Sequence, residues 1–404
     1  MSKSSFFTGQ PIFNQVLKFI PKSQVISIAR QHKADYYCKR FTTYDHLVTI
    51  LYSIFNRCTA LREITTGMLA WEQRITHLGI SHYPRRSTIS DANNRRSEAV
   101  FEQIYRQLLN RYSHFLSDSH QKKSSRLYVF DSTTISLFQE VLKGSGLSKM
   151  DGRRKGGIKV HTLMRSDQDV PCLIRFSAGA ANDRQFLKQV NLPKGSVLVF
   201  DKGYRDYNTY NRFHNDRITW ITRLNNNAVY QIQKERPVDE AHRTQGVLHD
   251  REIILGHNHH KNAIKVKARV VTYVDQISGR VFEFLTNNLR LSPISVAGYY
   301  KKRWQIEVLF KRIKQNYPLQ YFLGDSENAI KIQIWCALIA DLIIKIIKKG
   351  TRCRWSFSNL VAMIRLHMMT YLNLTAFLKS PEKSLMRKIK LRPHRTNQPA
   401  LFDT

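Results

Sequence analysis

The spacing of apolar residues changes once along this chain, and that change decides what it can fold into. Up to about residue 115, stretches such as "YDHLVTILYSIFNRCTALREITTGMLAW" and "EAVFEQIYRQLLNRYSHFL" place apolar side chains at i, i+3, i+4 and i+7, the period of helices buried along one face. Residues 117–126, "SDSHQKKSSR", hold no apolar side chain and read as a linker. Beyond them come "RLYVFDSTTISLF", "GIKVHTLMRS", "PCLIRFSAG" and "SVLVFDKGY", short runs rich in β-branched residues, with "ANDRQFLKQV" among them as a helix. The order predicts a mixed α/β sheet with hairpin strands first. Residues 223–284 continue as strands, with turns at "GHNHHKN" and "DQISGR", and read as a β-rich insertion. The expected division is a helical region over 1–117, a linker over 118–126, an α/β core over 127–222 and 285–325 interrupted by the insertion, and a helical C-terminal region with a basic tail over 326–404.

The chain carries 65 Lys and Arg against 30 Asp and Glu, a formal charge of +35, and this self-repulsion points to a polyanionic partner, nucleic acid first. Five cysteines, at 38, 58, 172, 336 and 353, are odd in number and lack C-x-x-C spacing, so they imply neither a disulfide framework nor a zinc ribbon and fit a reducing cytosol. The longest apolar stretch, "IQIWCALIADLIIKII", is interrupted by Gln333, Asp341 and Lys345 and reads as a buried helix, with no membrane expected. His257, His259 and His260 fall at a hairpin tip with no cysteine nearby, which favours solvated turn histidines over a metal site. In "YPRRSTISDANNRR", Ser87 is a candidate N-cap, and Arg85, Arg86, Arg95 and Arg96 belong either to a DNA-reading helix or to a solvated basic one.

Asp131 closes the apolar run "LYVF", and Asp201 closes "VLVF"; side chains leave the core for a crevice where such strands end. A third acid stands out by its isolation. Over residues 299–317, "YYKKRWQIEVLFKRIKQNY", six Lys or Arg residues surround Glu307, the one acid between 284 and 324. On a continuous helix Tyr300, Arg303, Glu307 and Lys314 fall within an arc of roughly 60°, beside a buried face of Ile306, Leu309, Phe310 and Ile313. Three carboxylates converging on one crevice repel each other unless divalent cations lie between them. Hard oxygen donors suit Mg²⁺ or Mn²⁺, and two such ions about 4 Å apart activate a water or 3′-hydroxyl and stabilise the leaving oxygen of a phosphodiester.

Tyr300-x2-Arg303-x3-Glu307-x6-Lys314 resembles the Y-x2-R-x3-E-x6-K signature of the IS4-type DDE transposases, and "FDSTTISLF" and "FDKGY" resemble the segments that hold that family's two aspartates. "GGIKVHT" resembles its second strand, and the likeness runs from about 127 to 317. The resemblance implies an RNase H-like core with Asp131, Asp201 and Glu307 as the metal-binding triad, and Tyr300, Arg303 and Lys314 on the DNA beside the cut. It implies terminal inverted repeats and target DNA as partners, 3′-hydroxyl joining, and a homodimer when two ends are paired. Lys159 and His161 alternate on one strand and either approach this site or form a cross-strand pair. Trp304 stacks on an extruded base or, the safer reading, packs against the core. Two alternatives stay open: a metal-dependent nuclease on the same core that does not join, and a non-catalytic DNA-binding derivative.

Overall fold

The computed structural model describes residues 9–80, 82–117, 126–136, 157–179, 184–256 and 264–390. His257, His259, His260, nearly all of the linker stretch and the end of the basic tail lie outside the described residues. The chain divides into two compact units. One takes Met1–Tyr112, Asn316–Gly324 and Asn328–Thr404, and the other Ser113–Gln315 with Asp325–Glu327.

In the second unit the described residues form nine strands: β1 (Leu127–Ser136), β2 (Gly157–Arg165), β3 (Val170–Ala178), β4 (Val197–Phe200), β5 (Thr219–Arg223), β6 (Tyr230–Glu235), β7 (Val247–Leu255), β8 (Val266–Val274) and β9 (Val281–Thr286). They make one sheet in the order β3-β2-β1-β4-β5-β9-β8-β7-β6. β1, β4 and β5 run parallel, while β2 and β3 are antiparallel hairpin strands on the outer side, the arrangement of an RNase H-like core. The insertion does not form a sheet of its own: β9 pairs antiparallel with β5, Ile221 opposite Thr286, so β6 to β9 widen the core sheet.

Between parallel neighbours the chain must cross over, and from β4 to β5 it does so through a helix, Tyr207–Asn215, opened by Asp206 accepting from the amides of Asn208 and Thr209. Strand alternation sorts the core into two faces. Phe130, Leu198 and Phe200 pack with Tyr210, Phe213 and Trp220 on one side. Leu127, Val199, Ile221 and Phe284 pack on the other against Val296, Ala297 and Tyr300 of the helix Pro293–Lys301, called the tyrosine helix below. A buried ion pair fixes the approach to that helix. Arg269 of β8 grips both oxygens of Asp250 of β7 at 2.6 Å, and its Nη1 donates to the carbonyls of Leu291 at 2.6 Å and Asn288 at 3.3 Å, in the loop after β9.

The first unit is helical. Helix Thr43–Asn56 starts at a capping box in which Thr42 and Asp45 bond each other's backbone, and helix Glu327–Thr351 is buried along most of its length. No helix among the described residues is long and apolar enough to cross a membrane. The basic helix spans Arg86–Arg95 with Arg85 at its N-cap position and no side-chain cap, so Ser87 lies inside it rather than at its start.

Candidate active site

Register brings the two aspartates together. β1 and β4 pair in parallel up to Phe130 opposite Phe200, so Asp131 and Asp201 are the next residues on adjacent strands. By alternation both turn to the face opposite Phe130 and Phe200, the face that the tyrosine helix covers. Asp131 Oδ1 accepts from the amide of Ser132 at 2.8 Å, and Asp201 caps the short turn Lys202–Tyr204 through the amide of Gly203.

Residues 299–317 do not form one continuous helix. The tyrosine helix ends at Lys301, and a second helix, Trp304–Asn316, carries Glu307. Tighter bonds bridge the break, from the amides of Lys302 and Arg303 to the carbonyls of Tyr299 and Tyr300, so the coil direction is kept. Arg303 stands at the junction and Glu307 one turn beyond. Ile306, Leu309 and Ile313 are buried as their spacing predicts, while Phe310 is only half-buried. Three polar ties hold the glutamate helix to the sheet: Ser166 Oγ donates to Gln305 Oε1 at 2.7 Å, Arg312 pairs with Asp169 at 3.0 Å, and Lys314 Nζ donates to the carbonyl of Thr134 at 3.1 Å.

Each acid is paired with an arginine, and one arginine joins two of them. Arg303 donates from Nη1 to Asp131 Oδ2 at 3.0 Å and from Nη2 to Glu307 Oε1. Asp201 Oδ1 accepts from Arg223 Nη2 at 3.3 Å and from the Tyr300 hydroxyl at 3.4 Å. The guanidinium carbons of Arg223 and Arg303 lie 5.9 and 5.8 Å from the centre of the Tyr300 ring, which packs on Phe284 at 5.0 Å. Burial pushes Asp131 up to about 6, with Asp201 and Glu307 adding to the shift, while the Ser132 amide and Arg303 oppose it. Burial pushes the Tyr300 phenol up to about 12, so it stays a hydrogen-bond donor, and burial lowers the Lys314 ammonium. A carboxylate whose ionised form is disfavoured in this way, beside two further hard-oxygen donors, is a group that a divalent cation would relieve. The donor set fits Mg²⁺ or Mn²⁺. In the geometry described Arg303 bonds both Asp131 and Glu307, and among the described residues no group of three or more His, Cys, Asp or Glu is arranged to hold a metal ion.

Other residues singled out in the sequence go elsewhere. Ser132 faces His161 and Thr134 faces Lys159 across the β1/β2 ladder, so both side chains leave on the face opposite Asp131. His161 is buried there, bonded to Ser177 at 2.9 Å and stacked on Phe186 at 3.6 Å. Trp304 is 63% exposed rather than packed into the core. Arg85, Arg86 and Arg95 are exposed on the helical unit, Arg95 paired with Asp91. Arg96 turns inward instead: 4% exposed, it donates to Asp35, to Cys38 and to the carbonyl of Phe41, because the helix ends there and the loop before Thr43 needs a strut. Arg223 was not singled out. It lies two residues past Ile221, which pairs with Val199, as Asp201 does on β4. The signal was the run "TWITR", a third apolar strand closed by a charge.

Residues 122–342 match the family model described as a transposase DDE domain, more than half of the chain. The chain belongs to this family. Residues 8–81 match a domain of unknown function (DUF4372). The transposase is 28% identical over 269 residues to the putative transposase y4zB of Sinorhizobium fredii, covering 67% of this chain and 73% of that one. It is 27% identical over 273 residues to a putative transposase for insertion sequence element IS4SA of Synechocystis, covering 65% and 71%. A probable transposase for element IS5377 of Geobacillus stearothermophilus is 26% identical over 240 residues, covering 58% and 61%. A piggyBac transposase solved in a synaptic complex with hairpin DNA aligns over 96% of this chain and 86% of that one, at a TM-score of 0.41 and 8% identity. Membership makes this a metal-dependent enzyme that cuts and transfers DNA.

Proposed function

We propose that this transposase cuts the ends of its own insertion sequence and joins the 3′-hydroxyls to target DNA, with Asp131, Asp201 and Glu307 as ligands of two Mg²⁺ ions, for which Mn²⁺ substitutes. The observation that carries this is the register: two aspartates on adjacent parallel strands, with Glu307 brought to the first of them through one guanidinium. When bound there, the ions supply Lewis acidity, lowering the pKa of the attacking water or 3′-hydroxyl and neutralising the leaving oxygen.

The chain's own residues do the rest. Asp131 is held within β1, Asp201 just past the end of β4 and Glu307 by a helix tied to the sheet at three points, so the donors need little reorganisation. Tyr300 and Arg223 orient Asp201 from one side. Arg303, bonded to Asp131 and Glu307, and Lys314, bonded to the carbonyl of Thr134, would hold the phosphate of the strand being cut, which carboxylates alone would repel. In this reading Arg85, Arg86 and Arg95 of the helical unit contact the terminal repeats, the exposed Trp304 is free to stack on a displaced base, and two chains pair the ends in the cytoplasm.

Asp131→Ala, Asp201→Ala and Glu307→Ala should each reduce nicking of a supercoiled donor plasmid in Mg²⁺ to background while gel-shift binding persists. Near-normal nicking by any one of them would remove that residue from the triad. Joined products in the wild-type reaction separate transposition from cutting alone.

A further inference from the structure

Arg303 sits where the proposed cation must go. One guanidinium closes the gap between Asp131 and Glu307. A divalent cation competes for the same carboxylate oxygens, and in a partly dry crevice the two positive groups repel. Both cannot occupy the site.

Nor is Arg303 locked in place. Its side chain keeps 17% exposure, and its buried Nε has no hydrogen-bond partner, so its donor set is incomplete in this position. Its backbone lies at the junction between two helices rather than within either. Beside it opens a cavity of about 510 Å³, lined among others by Arg223, Tyr273, Phe282, Phe284 and Trp304. A DNA phosphate offers a guanidinium the same fork-shaped pairing that carboxylates do.

We propose that Arg303 is an exchangeable counter-ion. In the DNA-free transposase it clamps Asp131 to Glu307, and an incoming phosphate draws it away toward the cavity, opening the carboxylates to the metal. The proposal rests on the assignment of the three acids as metal ligands and adds an order to it: DNA first, metal second. Because coupling between two binding sites is reciprocal, bound metal strengthens DNA binding by the same factor.

The test is Mn²⁺ binding to the full chain, followed by the loss of the free-ion EPR signal. It is run for wild type, Arg303→Gln, Arg303→Ala and Glu307→Gln, with and without a duplex cut from the DNA flanking the coding sequence, after subtracting binding to the duplex alone. Wild type alone should bind Mn²⁺ about 5- to 150-fold more weakly than wild type with duplex, the usual range of such couplings. Arg303→Gln and Arg303→Ala should bind without DNA about as tightly as wild type does with it. Equal affinities for wild type and Arg303→Gln without DNA would overturn the exchange, as would a wild-type affinity that the duplex leaves unchanged. If instead Glu307→Gln matches wild type with duplex present, the metal assignment itself fails. Should both neutral variants unfold, Arg303→Lys keeps the charge but cannot span two acids; its affinity without DNA should exceed that of wild type, and equality would again refute the exchange.

Discussion

Two arginines in the same unit hold carboxylates to opposite ends. Arg269 is 1% exposed and grips Asp250 with two parallel bonds, and Nη1 is taken up by two loop carbonyls. Arg303 is 17% exposed, spans acids on two different elements and leaves Nε without a partner. The first arrangement is closed: nothing can replace the guanidinium without leaving a buried charge and open carbonyls. The second is open on one side, and on the proposed function its acids have a metal ion as an alternative positive partner. One pairing chemistry thus serves as a fastener where the guanidinium is enclosed on a single acid, and, on the proposal above, as an exchangeable contact where it stays partly open and spans two acids.

The comparison breaks first at Arg269. Arg269→Ala leaves buried Asp250 with only its longer contact to Arg236 at 3.5 Å and should lower stability by about 3 kcal/mol, read as the midpoint of urea unfolding. The double variant Arg269→Met with Asp250→Leu should recover most of that loss. If the single variant loses under 1 kcal/mol, Arg269 is not the fastener described.

Asp131→Asn should act in the other direction. The folded state holds Asp131 at about 6, above its ordinary 3.8, so its ionised form weakens the fold above pH 6 and the penalty fades as pH falls toward 4. Asparagine should therefore raise stability at pH 7.5 by about 1 to 3 kcal/mol while abolishing cleavage. Thermal melts at pH 7.5, 6 and 4.5 should show the advantage shrinking with acid, and a constant difference across that range would refute the assigned cause. The smallest effect belongs to Trp304, exposed at the mouth of the same cavity. Trp304→Ala should change stability by less than about 0.5 kcal/mol, as surface substitutions do, and a larger loss would mean that the ring packs against the unit.

What the sequence made legible follows from how local each feature is. The helical period of Ile306, Leu309 and Ile313 is set within one element and was readable. An acid closing each of two apolar runs was readable too, but Asp131 lies inside β1 rather than at its end, because pairing with β2 carries the strand on to Ser136. The break between Lys301 and Trp304 was not readable, because "YYKKRW" has neither proline nor glycine to announce it. That Lys159 and His161 share a strand face was readable; that this face is opposite Asp131 depends on pairing with β1, which alternation within one strand cannot fix. Arg96 looked like its exposed neighbours because the groups it bonds, at Asp35, Cys38 and Phe41, lie more than 50 positions away, 55 in the nearest case. The insertion was legible as strands, and its membership of the core sheet was not, since β5 meets β9 only after β6, β7 and β8 have formed between them in sequence.

That late return of the chain has a consequence for timing. The bond from Arg303 to Asp131 joins residues 172 positions apart. A ribosome that has released everything through β5 has delivered both aspartates, but neither the tyrosine helix, nor Arg303, nor Glu307. Contacts of such long range close large loops and slow folding. If the three acids are the triad proposed above, a prematurely ended chain lacks the third of them, and the set is complete only once the excursion from β6 to β9 has closed.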